Sequence, residues 1–215
     1  MSDFAGFPEA VLDFYDDLEM DNTRSFWEGH RGVYEESVRA PMVALLAALE
    51  PEFGPGKAFR PYRDVRYARD KTPYKIHQGG FVQRAESTGW YIQVGARGVD
   101  VGAGFYAADS AALHRFREAV ADERTGEQLR QLVADLESAG WQVGGDRLRT
   151  RPRGYDGDHP RIKLLRHRSL TVGRSYGFEP VVHTPQLFDR VRADWAAAHD
   201  LVEWVTEHAT GPRFG

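Results

Sequence analysis

The sequence contains no cysteine. Disulfides, a thiolate nucleophile, iron–sulfur clusters and cysteine zinc sites are therefore excluded, and histidine and carboxylates remain as the available metal ligands. Long hydrophobic runs are missing too. The longest apolar segment, residues 42–49, is too short to cross a bilayer, and residues 1–8 show no basic stretch followed by an apolar one. Neither secretion nor membrane insertion is expected, and the expected location is the cytoplasm. Internal repeats, low-complexity tracts and domain-separating linkers are also lacking, although Gly54-Pro55-Gly56 and Gly144-Gly145 punctuate the chain. There is no Gly-x-x-x-x-Gly-Lys-Ser/Thr phosphate loop, and no nucleophile elbow or dinucleotide fingerprint is expected. Gly102-Ala103-Gly104 is too short for such a fingerprint and reads as a turn.

What is present suffices for one sizeable core: 215 residues, 41% hydrophobic and 12% aromatic. The net charge of −4 conceals a segregated pattern. Residues 1–52 carry twelve acids against three bases, whereas residues 60–75 carry six bases against two acids. A second basic stretch, residues 147–168, has eight Arg or Lys against Asp156 and Asp158. Acidic helices docking beside basic strands would account for this, and so would a positive cleft for an anionic ligand.

The texture along the chain predicts an α+β fold, a single domain over residues 1–215 with a mainly antiparallel sheet packed by N-terminal and C-terminal helices. Residues 1–52 read as helical. Phe7, Val11, Leu12, Tyr15 and Leu18 recur at helical spacing, Asp21-Asn22-Thr23 supplies cap chemistry for a second helix with Trp27, and Pro41 suits the first turn of a third. Residues 58–106 are sheet-rich, with strands expected at 59–67, 80–84, 90–95 and 99–106 and a hairpin tip at Arg97-Gly98. Helices follow over 109–140, one capped by Asp109 or Ser110 and one opened by a Thr125/Gln128 capping box. A strand at 141–149 and a basic loop lead to a strand at 169–176. A helical tail over 184–210 starts at Thr184-Pro185.

The densest chemistry lies in residues 60–75. On an extended segment Arg60, Tyr62, Asp64 and Arg66 share one face, and Phe59, Arg63, Val65 and Tyr67 the other. The second set is a core face interrupted by Arg63. A buried guanidinium is costly without partners, so Arg63 must meet a carboxylate or carbonyls, or the strand must bulge to turn it outward. Asp64 can hold either Arg60 or Arg66 as a fork, and such a fork fits phosphate or carboxylate oxygens.

This segment resembles the signature Arg-x-x-Arg-Asp-x-Arg-Phe-x-x-x-Lys-x-Pro-Tyr of a bacterial family catalogued as domain of unknown function 2461. Arg60, Arg63, Asp64, Arg66, Lys71, Pro73 and Tyr74 fall on its fixed positions, and Tyr67 stands where the family has Phe. Further similar elements are the helix pair around Asn22 and Trp27, the Gly102-Ala103-Gly104 turn and Pro152-Arg153-Gly154-Tyr155 followed by Asp158-His159-Pro160. The resemblance covers most of the chain and implies no activity, since the family is defined without one.

The functional expectation is a small phosphate-bearing or carboxylate-bearing ligand, contacted by Arg60, Arg63, Arg66 and Lys71, with Asp64 orienting the arginines, Tyr74 and Arg153 bordering the site and Lys163 nearby. Two other readings stand beside it. One is an interaction or scaffold protein whose Arg/Asp motif is an internal ion network. The other is single-stranded nucleic-acid binding through basic stretches interleaved with Tyr62, Tyr67, Tyr74 and Tyr155, against which the acidic balance argues. Asp64 and His159 are the candidates for proton transfer, His159 also reading as a loop cap beside a turn-forming Asp. His30 and Tyr34 lie one helical turn apart and read as helix packing. His77, His114, His167, His183, His199 and His208 show no metal-site spacing, so neither a metal nor a cofactor is expected.

Overall fold

The structure, a computed structural model, describes residues 4–67 and 69–210. Its fold is α+β. One antiparallel sheet has the strand order β1-β2-β3-β4-β6-β5, formed by β1 (Gly56–Ala58), β2 (His77–Ala85), β3 (Thr88–Gly95), β4 (Gly98–Phe105), β5 (Gln142–Gly144) and β6 (Leu170–Gly177). The helices are α1 (Ala10–Met20), α2 (Arg24–Val33), α3 (Ala40–Phe53), α4 (Ser110–Ala121), α5 (Glu123–Ser138), the single turn α6 (Ile162–Leu165), α7 (Leu187–Ala197) and α8 (His199–Val205). Among the described residues no helix is long and apolar enough to cross a membrane. By internal contacts the chain divides into two compact units, and strands β2, β3, β4 and β6 contribute residues to both.

The first unit holds residues up to Val82, Tyr91–Val101 and Ser175–Ala193. Its helices follow from periodicity: α1 buries Val11, Phe14, Tyr15 and Leu18, and Thr23 caps α2 by accepting from the Phe26 N–H at 3.2 Å. Pro41 falls in the first turn of the third helix, α3, as expected, although that helix is not separate from α2. A π-helical turn, Tyr34–Arg39, joins α2 to α3 in one continuous helical run, with the Ala40 N–H donating to the Glu35 carbonyl. Proline has no N–H to give and its ring collides with the carbonyl four residues back; the wider π turn just before Pro41 relieves both demands. Buried side chains continue through it at steps of four, Tyr34, Val38 and Met42, before Leu45, Leu49 and Phe53.

One sheet face is packed by Val82, Ile92, Val94, Val99 and Val101, while the alternate residues His77, Tyr91, Gln93 and Asp100 stay half-buried. Gly98, at the expected hairpin turn, has φ +98°, and a Cβ there would stand 1.8 Å from the Gly177 carbonyl oxygen, so the close approach of β4 to β6 requires glycine.

The strand expected over 59–67 is not one. Along this segment only β1 pairs, with β2, after which residues 61–67 and 69–75 leave the sheet and close on each other. Lys75 N–H donates to the Pro61 carbonyl at 2.8 Å and Arg63 N–H to that of Pro73 at 2.9 Å, with an isolated bridge between Tyr62 and Tyr74. Pro61 and Pro73 have no N–H for a longer ladder. Asp64 and Asp70 then turn the chain by accepting from the backbone N–H two residues on, Arg66 at 3.3 Å and Thr72 at 3.0 Å.

The second unit holds Gln83–Trp90, Gly102–Arg174 and residues from Asp194 on. Asp109 caps α4 as expected, accepting from Ala112 N–H at 2.7 Å. The cap of α5 is Asp122 rather than Thr125: its carboxylate accepts from the Thr125 N–H, while the Thr125 hydroxyl turns back to the Ala119 carbonyl. The strand expected at 141–149 shortens to β5, followed by a lone bridge between Arg147 and His167. Phe105, Phe116 and Trp204 form an aromatic core cluster, and the Trp204 indole donates to the Thr125 carbonyl at 3.1 Å. The helical tail starts at Leu187, three residues beyond Thr184, which ends a short 3₁₀ turn, Pro180–His183.

Candidate functional site

Three features anchor the base of the 61–75 loop. Asn22 clamps the backbone of Tyr74, its amide donating to the Tyr74 carbonyl at 3.0 Å and accepting from the Tyr74 N–H at 3.1 Å. Trp27 stacks on the Tyr74 ring with centroids 4.3 Å apart and planes 8° from parallel. The Gln78 amide, held by the Tyr34 hydroxyl at 2.7 Å, donates to the Phe59 carbonyl at 2.8 Å. The Asn22 and Trp27 positions thus belong with the charged signature because they hold its loop.

Most of the loop's cations are already engaged. Arg66 forks onto Asp64 at 3.0 and 2.6 Å, and this contact holds the Asp64 carboxyl below its ordinary range. Arg63 reaches Asp70 and the Thr72 hydroxyl. That pairing, followed by the bonds from Thr72, pulls the Asp70 carboxyl down to about 2. Lys71 donates to the Val65 carbonyl at 2.9 Å. A ligand could use Arg63, Arg66 or Lys71 only by opening these contacts. Tyr74 is buried beneath the loop rather than bordering an opening, and Tyr67 is almost wholly exposed.

Arg60 is different. It lines a cleft of about 510 Å³ with Arg39, Lys57, Phe59, Pro61 and Lys75. Arg39 comes from the end of the π turn, Lys57 from β1, and Lys75 from the loop's return. Arg39 lies 3.6 Å from Glu35, both on the surface. Among the described residues Lys57, Arg60 and Lys75 form no ion pair. Burial, and then the neighbouring Arg60, lower the Lys75 ammonium below its ordinary value, and its Nζ stands 5.4 Å from the centroid of the Phe59 ring. Sequence reasoning named Arg60 but missed Arg39, Lys57 and Lys75. The signal available was Lys75 at the end of the basic stretch; nothing local marked the other two.

The second basic stretch, in the other unit, is mostly spent on its own framework. Arg161 is buried and its guanidinium donates to the carbonyls of Val120, Ala121 and Asp122 at the end of α4. Arg166 bonds the carbonyls of Leu148 and Arg149, and Arg168 pairs with Asp146. Arg153 is exposed on the rim of a shallow hollow formed by Arg151, Pro152, Gly154, Tyr155 and Asp156, and Lys163 is exposed on α6. His159 accepts from the Arg161 N–H at 3.0 Å, the loop-capping arrangement. His30 contacts the Phe26 carbonyl at 2.8 Å and stacks on its ring, which is helix packing.

One pattern passed over in the sequence is Gly173-Arg174-Ser175-Tyr176-Gly177, which has Gly-x-Ser-x-Gly spacing. All five residues lie within strand β6, and the Ser175 hydroxyl accepts from the Gly177 N–H at 3.3 Å. The strand-to-helix turn that exposes a nucleophile in such a motif is missing here.

Fold and geometry together define a class: an α+β protein with a self-bonded arginine loop and a cationic cleft at the loop's root. The model of a family described as conserved hypothetical protein (DUF2461) matches residues 10–204, and the chain belongs to that family. No curated protein matches the sequence.

Proposed function

We propose that the protein binds a small anionic ligand, phosphate-bearing or carboxylate-bearing, in the cleft of Arg39, Lys57, Arg60 and Lys75. The observation that carries this reading is the convergence of four cations from three separate segments, with no ion pair formed by Lys57, Arg60 or Lys75 among the described residues. Concentrating like charge is unfavourable unless an anion completes it. Guanidinium and ammonium donors beside Phe59 and Pro61 match the usual composition of a small-molecule site, a few polar groups on apolar walls. Arg63, Asp64, Arg66, Asp70 and Lys71 shape the loop that presents Arg60. We place the protein in the cytoplasm as part of this reading.

Thermal unfolding in phosphate against chloride at matched ionic strength tests the reading. A ligand that binds only the folded state stabilises it by about 2.7 kcal/mol at a hundred times its Kd. The expected result is an upward shift of Tm in phosphate that disappears in Arg60→Ala and Lys75→Met and persists in Arg66→Ala. A wild-type protein indifferent to phosphate and to dicarboxylates overturns it. A shift lost only in Arg66→Ala would move the site to the outside of the loop.

A further inference from the structure

The cleft is bounded on one side by the ring of Phe59. That ring, which lines it, lies 6.3 Å from the ring of Tyr91 on β3, on the half-buried face of the sheet. Gly79 forms the floor between them: a Cβ there would stand 3.0 Å from the Phe59 ring and 2.7 Å from the Tyr91 hydroxyl. From Tyr91 a chain of polar side chains runs across two strands. The Tyr91 hydroxyl donates to the Gln93 carbonyl oxygen at 2.9 Å, and the Gln93 amide donates to Asp100 Oδ2 at 2.8 Å. Burial and the nearby Asp100 raise the Tyr91 phenol to about 12, so it stays a neutral donor. Asp100 Oδ2 is the oxygen that Gln93 occupies, and Oδ1 keeps acceptor capacity.

This arrangement lies on the half-buried face of the sheet. It offers, in one line, an aromatic edge, an amide with a second N–H and a carboxylate with an open oxygen, next to a cluster of cations. A carboxylate rules out a second anionic group at that end and favours a body that donates hydrogen bonds.

The geometry points to a phosphorylated polyol, a sugar phosphate, as the ligand class, with its anionic group between Arg60 and Lys75 and its hydroxyls on Asp100, Gln93 and Tyr91. This assignment rests on the anion-site reading above. Asp100 and Gln93 become the specificity-determining residues, while the cations supply the shared attraction for any phosphate. A site built to pair hydroxyls discriminates strongly against an analogue that lacks them, because its own polar groups are then left unmatched.

Calorimetric titration with glucose 6-phosphate, propyl phosphate and inorganic phosphate tests the assignment on the full chain. Glucose 6-phosphate is expected to bind about tenfold or more tightly than propyl phosphate. That advantage should vanish in Asp100→Ala and shrink in Tyr91→Phe, with propyl phosphate affinity unchanged in both; circular dichroism checks that each variant is folded. Equal wild-type affinity for the two esters overturns the sugar-phosphate assignment and leaves the anion site standing, whatever the variants do. If no phosphate compound binds, the anion site itself fails and this inference falls with it.

Discussion

Asp70 shows how a single exposed carboxylate can set a loop. It receives Arg63, the Thr72 N–H and the Thr72 hydroxyl, and this set of partners depresses its carboxyl to about 2. A group whose folded pKa lies below its unfolded value stabilises the fold above the unfolded pKa, near 3.8, and that contribution is lost as the pH falls towards 2. Following the Asp70 carboxyl by NMR should therefore give a midpoint near 2 in the wild type. In Arg63→Gln the midpoint should climb towards 3.8, since the largest cause of the shift has been removed. An identical midpoint in both proteins would show that the pair does not form in solution. The need of Arg63 for an oxygen partner was legible in the sequence, because guanidinium burial has only a few resolutions. Its partner was not, since Asp70 comes within reach only after the chain has turned twice.

At the scale of elements, the 61–75 loop is a closed unit hung from Asn22, Trp27 and Gln78. Asn22→Ala removes both bonds to the Tyr74 backbone and leaves a partly buried N–H and carbonyl to find water. Loss of about 2 kcal/mol of unfolding free energy is expected in urea denaturation, together with faster amide exchange at Arg63 and Lys75, whose backbone N–H groups close the loop. Unchanged exchange at those two amides would mean that the loop is held by its own ion pairs alone. The expected strand at 59–67 failed for a related reason. Aromatic and β-branched residues favour extended backbone, but two prolines without donors and two aspartates that capture backbone N–H groups outweigh that preference. Likewise, Pro41 marked a discontinuity correctly, yet the π turn let the helix continue across it. Helix caps at Thr23 and Asp109 were readable because capping is a local bond between neighbours in sequence.

For the molecule as a whole, the net charge of −4 bears on which anions it can meet. Twelve acids in the first 52 residues oppose a long polyanion, whereas a small ligand in the cleft meets few of them, Glu35 beside Arg39 among these. With many arginines of both basic stretches already bonded to protein oxygens, few remain for phosphate-backbone contacts. Single-stranded oligonucleotides are thus expected to show no measurable binding at about 0.15 M salt. Fluorescence anisotropy across a salt series checks this. Binding whose logarithm falls steeply with the logarithm of salt would revive the nucleic-acid reading, the slope counting the phosphates contacted.

By itself the sequence determined the α+β class, the helical ends, most of the sheet, the family and the fork between Asp64 and Arg66. These depend on periodicity, caps and residues a few positions apart, all encoded along the chain. Tertiary structure alone decided that Arg60 stands apart from its paired neighbours, with Arg39, Lys57 and Lys75 beside it. It also decided that Phe59, which lines that cleft, neighbours Tyr91, and that Tyr91, Gln93 and Asp100 are joined by hydrogen bonds. Those side chains come from a π turn, two sides of a loop and three strands. Hydrophobic patterning states which face of an element is buried, but not which element lies opposite, so the meeting of distant charges is settled only when the chain packs.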